Sequence, residues 1–268
     1  MPPDPLKPES RSLPRAVLRW VELLLLFLGV PTLFWYWRIA PDHLVDLGAR
    51  LGLDWAVLEH PGHLMLPSLA LFTIGVLVAL LCDRSFDRSR LWNPRALRPV
   101  LVTILVRFVV LAGLLTLVTW QLEDAMPLRA ALARLGYGVD WPAVRLFSLP
   151  LGHPGLWAII MVFYPAISVW PQEVLYRAFF FHRYARILPA PAARIALSAL
   201  VFGFMHIVFM NPVAPLLCTL GGLLFAQTYH RTHSLFAASF EHALYGCWVF
   251  TVGLGAYFYG GTYGGTLG

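Results

Sequence analysis

Long apolar runs constrain this chain more than any other feature of its sequence. Roughly 20 consecutive apolar residues let a helix cross the bilayer core, which is about 30 Å thick, and seven runs approach or exceed that length. Only 13% of the 268 residues are charged, against roughly a quarter in soluble domains. The sequence therefore predicts an all-α, polytopic integral membrane protein with about seven to eight transmembrane helices.

The runs and the segments between them divide the chain into four parts. These are a basic flexible tail over 1–15, N-terminal transmembrane helices and loops over 16–154, a C-terminal core over 155–258 and a Gly-rich tail over 259–268. The predicted spans lie at about 16–37, 63–82, 99–120, 156–182, 193–210, 213–229 and 235–258. Pro171 in the fourth run favours a kink or a fresh helix start, and a split there would give an eighth span. Residues 127–135 have the pattern of an amphipathic interfacial helix.

The positive charge of the chain is concentrated in alternate connections between the runs. The net charge is +6. In a membrane protein such an excess of positive charge indicates how the spans are oriented, and it does not indicate nucleic-acid binding. The basic segments are 1–15, 83–98, 182–194 and 230–233. We therefore expect the N-terminus inside, the C-terminus outside, a lipid bilayer as partner and no nucleic acid. The Arg-, Leu- and Pro-rich composition is typical of a GC-rich genome and points to a bacterial cytoplasmic membrane.

Ionisable residues inside the apolar runs are the candidate functional groups, because such residues are costly in a membrane and need partners. Glu173 and Arg177 are four residues apart, so a helix places them on one face. Counted from the inner ends at about 1.5 Å per residue, Glu173 and His242 lie roughly 13 Å deep and His206 roughly 18 Å deep. Three polar residues on three spans at similar depth predict a shared site.

Such a site has the groups needed to activate water for peptide hydrolysis. Glu173 is predicted to be the general base, His206 its partner on the water, and His242 a donor to the oxyanion or an acid for the leaving amine. Gln172 and Arg177 would support them. The structural alternative is an intrahelical ion pair beside two satisfied core histidines.

A metal site is the weaker interpretation of the same residues. Two histidines and a glutamate could ligate zinc. The chain has no His-Glu-x-x-His helix, and the potential ligands come singly from separate spans. We therefore expect no metal and no cofactor.

Three stretches resemble the motifs of the CPBP family, the CAAX prenyl protease-like, glutamic-type intramembrane proteases. They are EVLYR at 173–177, FGFMH at 202–206 and EHALYG at 241–246. The matching positions are Glu173 for the second glutamate of the first motif, Arg177 for its arginine, Phe202 and His206 for the second motif, and His242 for the third. The resemblance implies a protease core over 155–258, a glutamate and the second-motif histidine on the water, and the third motif at the oxyanion.

Two positions depart from the family pattern. Gln172 stands where the first glutamate, usually the base, is expected, and Gly246 stands where a polar oxyanion donor is usual. Either Glu173 takes over as base, or the chain is a catalytically inactive membrane scaffold or chaperone. We predict an intramembrane endopeptidase acting on a membrane-associated protein or peptide. A transporter is disfavoured because no internal repeat is visible.

Two further carboxylates in apolar runs need partners. Glu241 is adjacent to His242 but points about 100° away from it on a helix, so it is predicted to pair with another buried group, and Arg107 is the candidate. Glu22 lies early in the first run and is expected either to reach the interface or to form an ion pair.

Overall fold

The computed structural model describes residues 13–51, 61–123 and 144–258. Regular structure within these ranges is helical, with no strand. The α-helices of the described ranges are α1 Leu13–Leu24, α2 Val30–Ile39, α3 Pro41–Arg50, α4 Pro61–Cys82, α5 Leu101–Glu123, α6 Ser148–Gly152, α7 Pro154–Tyr164, α8 Trp170–Glu173, α9 Phe180–Arg183, α10 Pro191–Met205, α11 Val213–Thr232 and α12 Leu235–Val252. The predicted interfacial helix at 127–135 and the Gly-rich tail lie outside the described residues, as does most of the basic tail.

Five helical segments of the described chain are long and apolar enough to cross a membrane. They are Arg15–Ile39, Leu64–Cys82, Pro94–Gln121, Pro154–Arg183 and Pro191–Phe209. The prediction of an all-α membrane protein is confirmed, but the count of seven to eight spans is not. The other two predicted spans form α11 and α12, whose polar residues, such as Gln227 and Glu241, lower their mean hydropathy.

The fourth span is one helical segment with two wider turns in it. A π-helical turn at Pro165–Val169 and another at Val174–Phe179 flank α8. Proline lacks the N–H needed for a regular helical bond, and π turns accommodate such a defect and recur at functional sites. The segment stays helical from Pro154 to Arg183, so the split that would have made an eighth span does not occur.

The outward faces of the spans carry large apolar side chains. Leu71 is 73% exposed, Val102 72% and Val109 68%. A soluble protein rarely leaves contiguous apolar surface of this kind in water. These faces are therefore the ones that contact lipid.

The core of the bundle is built around the second half of the fourth span. Phe27, in the π-helical turn of the first span, is 2% exposed. Its ring meets those of Tyr176, Phe180 and Tyr184 at centroid distances of 5.3, 5.4 and 6.1 Å, all in edge-on contacts. Edge-on aromatic pairs contribute roughly 0.5–1.5 kcal/mol beyond their buried area. This cluster fixes the segment that carries Glu173 and Arg177.

One end of the bundle collects three of the segments predicted to lie inside. His182 contacts Asp83 with 2.9 Å between Nε2 and Oδ2, and the Ser234 hydroxyl donates to the Asn93 carbonyl at 2.8 Å. The hydrogen bond to His182 and those from Ser85 lower the pKa of Asp83 to about 2. We call this end, formed by 83–98, 182–190 and 230–236, the basic end.

The segments predicted to lie outside meet at the opposite end. The Asn211 side chain donates to the Tyr257 carbonyl at 2.8 Å, and the Phe147 N–H donates to the Val252 carbonyl at 3.3 Å. Because α11 begins beside Asn211 and ends at the basic end, α11 and α12 run the length of the bundle even though they are less apolar than the five spans.

Candidate active site

Glu173 and Arg177 form a fully buried ion pair on the fourth span. Both side chains are 0% exposed, and 3.3 Å separates Arg177 Nε from Glu173 Oε2. The prediction that they share a helix face is therefore confirmed. Isolated buried charges are costly. The neighbouring helices must therefore supply polar partners to this ion pair.

Arg177 is held by two further helices as well as by Glu173. One guanidinium nitrogen donates to the Ser198 hydroxyl on α10 at 3.0 Å, and the other terminal nitrogen donates to the Gly222 carbonyl on α11 at 3.4 Å. The guanidinium carbon lies 5.0 Å from the centre of the Phe202 ring, a favourable cation–π distance. Arg177 thus connects the fourth span to α10 and α11.

His242, on α12, contacts the other oxygen of Glu173. Its Nδ1 lies 3.0 Å from Glu173 Oε1, so Nδ1–H donates to the carboxylate and Nε2 remains an acceptor. The imidazole is stacked on Phe225 with centroids 4.5 Å apart and an interplanar angle of 13°. Nε2 lies 3.5 Å from the Tyr164 hydroxyl. This is the arrangement of a histidine whose tautomer is fixed by a carboxylate.

A cavity of about 880 Å³ lies beside this pair. Most of its lining is aliphatic or aromatic, and its polar lining includes Tyr164, Gln172, His206 and His242. Glu173 is not among the described residues that line it. The carboxylate therefore reaches the cavity only through the imidazole of His242.

His206 reaches the same cavity from the end of α10. Its Nδ1 donates to the Phe202 carbonyl at 2.7 Å, which leaves Nε2 as the acceptor nitrogen. The Phe202 ring lies edge-on to both histidines, 4.9 Å from His206 and 5.4 Å from His242. Phe202 is thus the spacer that separates the two imidazoles.

Gln172 also faces the cavity. Its amide nitrogen donates to the Ser168 hydroxyl at 2.8 Å. Its buried Oε1 has no hydrogen-bond partner within 13–51, 61–123 and 144–258. Of the two positions where the resembled family has glutamates, the one that meets the cavity is therefore an amide, and the carboxylate next to it points into the protein.

The predicted pair of Glu241 and Arg107 is confirmed. Arg107 Nη2 lies 2.7 Å from Glu241 Oε1, and Thr228 donates to the other carboxylate oxygen at 2.5 Å. Arg107 also donates to Gln227 at 3.0 Å. This cluster connects α5, α11 and α12 one residue before His242.

Glu22 likewise forms an ion pair. Arg183 Nε and Nη2 donate to its two carboxylate oxygens at 2.8 and 2.6 Å. This two-point contact joins the first span to the end of the fourth.

Several site residues were missed by the sequence analysis. Tyr164, Ser168 and Gln172 recur every four residues along an apolar segment, and this polar stripe was the signal that could have identified the first two. Ser198 and Phe225 carry no comparable signal, because an isolated serine or phenylalanine in an apolar run is ordinary.

Metal-ligand geometry is absent from the described ranges. No group of three or more His, Cys, Asp or Glu there is arranged to hold a metal ion. Glu173, His206 and His242 therefore do not form such a group.

Comparison with protein-family models gives a match that covers the site. Residues 154–248 match the family model described as Type II CAAX prenyl endopeptidase Rce1-like. The matched segment is about a third of the chain and contains all three motifs, which confirms the resemblance that the motifs indicated. No curated protein and no solved structure matches the chain significantly.

Proposed function

We propose that the protein is an intramembrane endopeptidase that hydrolyses a peptide bond of a membrane-associated protein or peptide. The observation that carries the proposal is the contact between Glu173 and His242 at the wall of a large apolar cavity. A carboxylate that fixes a histidine tautomer is a recurring arrangement for general-base catalysis. The Rce1-like match of residues 154–248 supports the same reaction class.

His242 is the group that takes the proton from water in this scheme. Glu173 Oε2 forms an ion pair with Arg177 and Oε1 accepts from His242, and the carboxylate lies behind the imidazole. Direct proton abstraction by Glu173 is therefore less suited to the geometry than abstraction by His242 Nε2. Glu173 would orient the ring and stabilise the imidazolium that forms.

His206 and Gln172 would position the water from the other sides. His206 presents an acceptor nitrogen because its Nδ1–H is used by the Phe202 carbonyl. Gln172 lines the same cavity and bounds the space that the water can occupy. The water directs one hydrogen to His206 Nε2 and the other to His242 Nε2, which turns an oxygen lone pair toward a carbonyl carbon.

The reaction then follows the usual course of peptide hydrolysis. Water gives its proton to His242 Nε2 while its oxygen bonds to the carbonyl carbon, and the carbonyl oxygen becomes an oxyanion. As the oxyanion returns to a carbonyl, the carbon–nitrogen bond breaks and the proton on Nε2 passes to the leaving amine. No metal or cofactor takes part in this scheme.

The cavity and the matched family support a substrate class for this proposal. The apolar lining suits a lipidated or membrane-inserted segment, and the family description names CAAX prenyl endopeptidases. We place the protein in a bacterial cytoplasmic membrane with its basic end inside, following the arginine distribution.

One observation favours a second candidate, a non-catalytic membrane scaffold or chaperone. At the cavity wall, an amide occupies the position where the resembled family has its first glutamate. An amide has no basic site for proton abstraction. The two candidates differ in whether His242 and Glu173 are enough for catalysis when position 172 carries no carboxylate.

Cleavage assays in liposomes test the proposal. The purified protein is incubated with three peptides: a farnesylated peptide ending in a CAAX sequence, its non-lipidated copy, and a single-span helical peptide. Mass spectrometry of the fragments reports cleavage. We expect the wild type to cleave at least one peptide and His242→Ala to lose about 10³-fold or more in kcat.

Matched variants separate the two candidates. Glu173→Gln and His206→Ala should each reduce kcat strongly, whereas His153→Ala, an exposed histidine, should not. No cleavage by the wild type together with cleavage by Gln172→Glu would favour the scaffold. Unchanged activity in His242→Ala would refute the proposed mechanism.

A further inference from the structure

Tyr164 occupies the space that a side chain at position 246 would fill. Gly246 lies one helical turn after His242 on α12, and therefore on the same face. A Cβ built on Gly246 would lie 2.5 Å from the Tyr164 hydroxyl oxygen and 2.8 Å from the adjacent ring carbon. Real Cβ atoms do not come this close to other atoms. The glycine thus provides a slot in α12, and the phenol of the fourth span fills it.

The slot directs the hydroxyl to the proposed reacting nitrogen. Tyr164 Oη lies 3.5 Å from His242 Nε2, and both residues line the cavity. Phe250 contacts the phenol ring edge-on, with centroids 5.3 Å apart. A phenol ring held by Phe250 and by the His242 imidazole presents its hydroxyl as a pre-oriented hydrogen-bond donor.

We propose that Tyr164 is a catalytic residue that donates a hydrogen bond to the oxyanion of the tetrahedral intermediate. This inference rests on the proposed endopeptidase function. Before the water binds, the hydroxyl faces the unprotonated Nε2 of His242. The water that will give its proton to Nε2 replaces the hydroxyl as the donor to this nitrogen, because Nε2 has a single acceptor lone pair, and the hydroxyl is then available to the oxygen that gains charge.

The same geometry gives Gly246 a defined role. Any side chain at this position would displace the phenol, so the glycine is required for the Tyr164 donor rather than being a lost polar group. The oxyanion donor can therefore come from either of two positions. It is a tyrosine at position 164 when position 246 is glycine, or a polar side chain at position 246 itself.

Kinetics of two single variants test the assignment on whichever of the three peptides the wild type cleaves. Tyr164→Phe removes only the hydroxyl and should lower kcat about 100-fold, the loss typical of one oxyanion donor, with little change in KM. Tyr245→Phe is the matched control, because its buried hydroxyl has no hydrogen-bond partner within the described chain. That variant should keep the wild-type kcat.

A donor exchange distinguishes catalysis from packing. Tyr164→Ala empties the slot, and Tyr164→Ala/Gly246→Asn places an amide donor in it. The double variant should recover at least about ten-fold in kcat over Tyr164→Ala, which a purely structural role would not produce. Equal kcat in wild type and Tyr164→Phe would overturn this inference alone, whereas absence of wild-type cleavage would overturn the endopeptidase proposal as well.

Discussion

At the scale of single residues, Arg177 organises the polar interior. A buried cation is tolerated when ion pairing and hydrogen bonds replace the water it has lost. Arg177 has Glu173 as its counter-ion, the Ser198 hydroxyl and the Gly222 carbonyl as acceptors, and the Phe202 ring beneath it. Glu173 in turn uses its second oxygen to fix His242. The ion pair is therefore both structural and functional.

Removing the guanidinium should destabilise the fold strongly. Arg177→Met leaves the Glu173 carboxylate buried without a counter-ion, and we expect a loss of about 3–5 kcal/mol in the free energy of unfolding. Arg177→Met/Glu173→Gln removes the stranded charge and should recover part of that loss. Unfolding in mixed detergent micelles measures both values.

Val109→Ala is the control for this prediction, because Val109 is 68% exposed on a lipid-facing surface. Its effect should stay within about 0.5 kcal/mol. A loss below about 1 kcal/mol in Arg177→Met would contradict the view that the pair is buried and essential to stability.

At the scale of elements, the site depends on how closely α10 and α11 approach each other. Gly203 on α10 faces Thr219 and the Pro215 carbonyl of α11, and Gly222 on α11 faces Ala199 of α10. Small residues at a helix contact let the backbones come close together in a membrane. This close contact brings the Gly222 carbonyl within reach of Arg177.

A methyl group in this contact should separate the two helices. Gly203→Ala would place its Cβ against the Thr219 side chain and 2.8 Å from the Pro215 carbonyl oxygen. Because that oxygen is backbone and cannot rotate away, we expect a destabilisation of about 1–3 kcal/mol from overpacking. Thermal unfolding in detergent, followed by circular dichroism, measures the change.

Gly113→Ala is the matched control in α5, where no atom lies within 4 Å of the added Cβ. Alanine has the higher helix propensity, so this variant should be neutral or slightly more stable. If Gly203→Ala proves as stable as Gly113→Ala, the α10–α11 contact is looser than the structure indicates.

At the scale of the whole molecule, the connections are sorted between two ends. The basic end brings together three of the predicted inner segments, through Asp83 with His182 and Asn93 with Ser234. The opposite end joins Asn211 to Tyr257. This sorting agrees with the alternation of basic connections in the sequence, while the side of the membrane on which the basic end lies is part of our proposal.

Cysteine labelling tests the proposed orientation. In a background lacking Cys82, Cys218 and Cys247, a membrane-impermeant maleimide added to intact cells should label Gly152→Cys and not Arg84→Cys. Both positions are exposed and lie at opposite ends of the bundle. Inside-out vesicles should give the reverse pattern. Labelling of Arg84→Cys in intact cells would reverse the assignment.

The sequence by itself determined the helical membrane class and the residues of the three motifs. These follow from local properties: the length of an apolar run, and the four-residue spacing that places Glu173 beside Arg177. It also predicted the pair of Arg107 and Glu241, because a buried carboxylate requires a cation and Arg107 lies within an apolar run.

Only the tertiary structure decided how the motifs meet. It placed Glu173 behind His242 rather than at the cavity wall, and it gave Gln172 the position at the wall instead. It also filled the slot above Gly246 with Tyr164. The reason is physical: contacts between helices depend on which faces pack together and how closely, and residues separated by 69 or 78 positions leave no periodic signal in the chain.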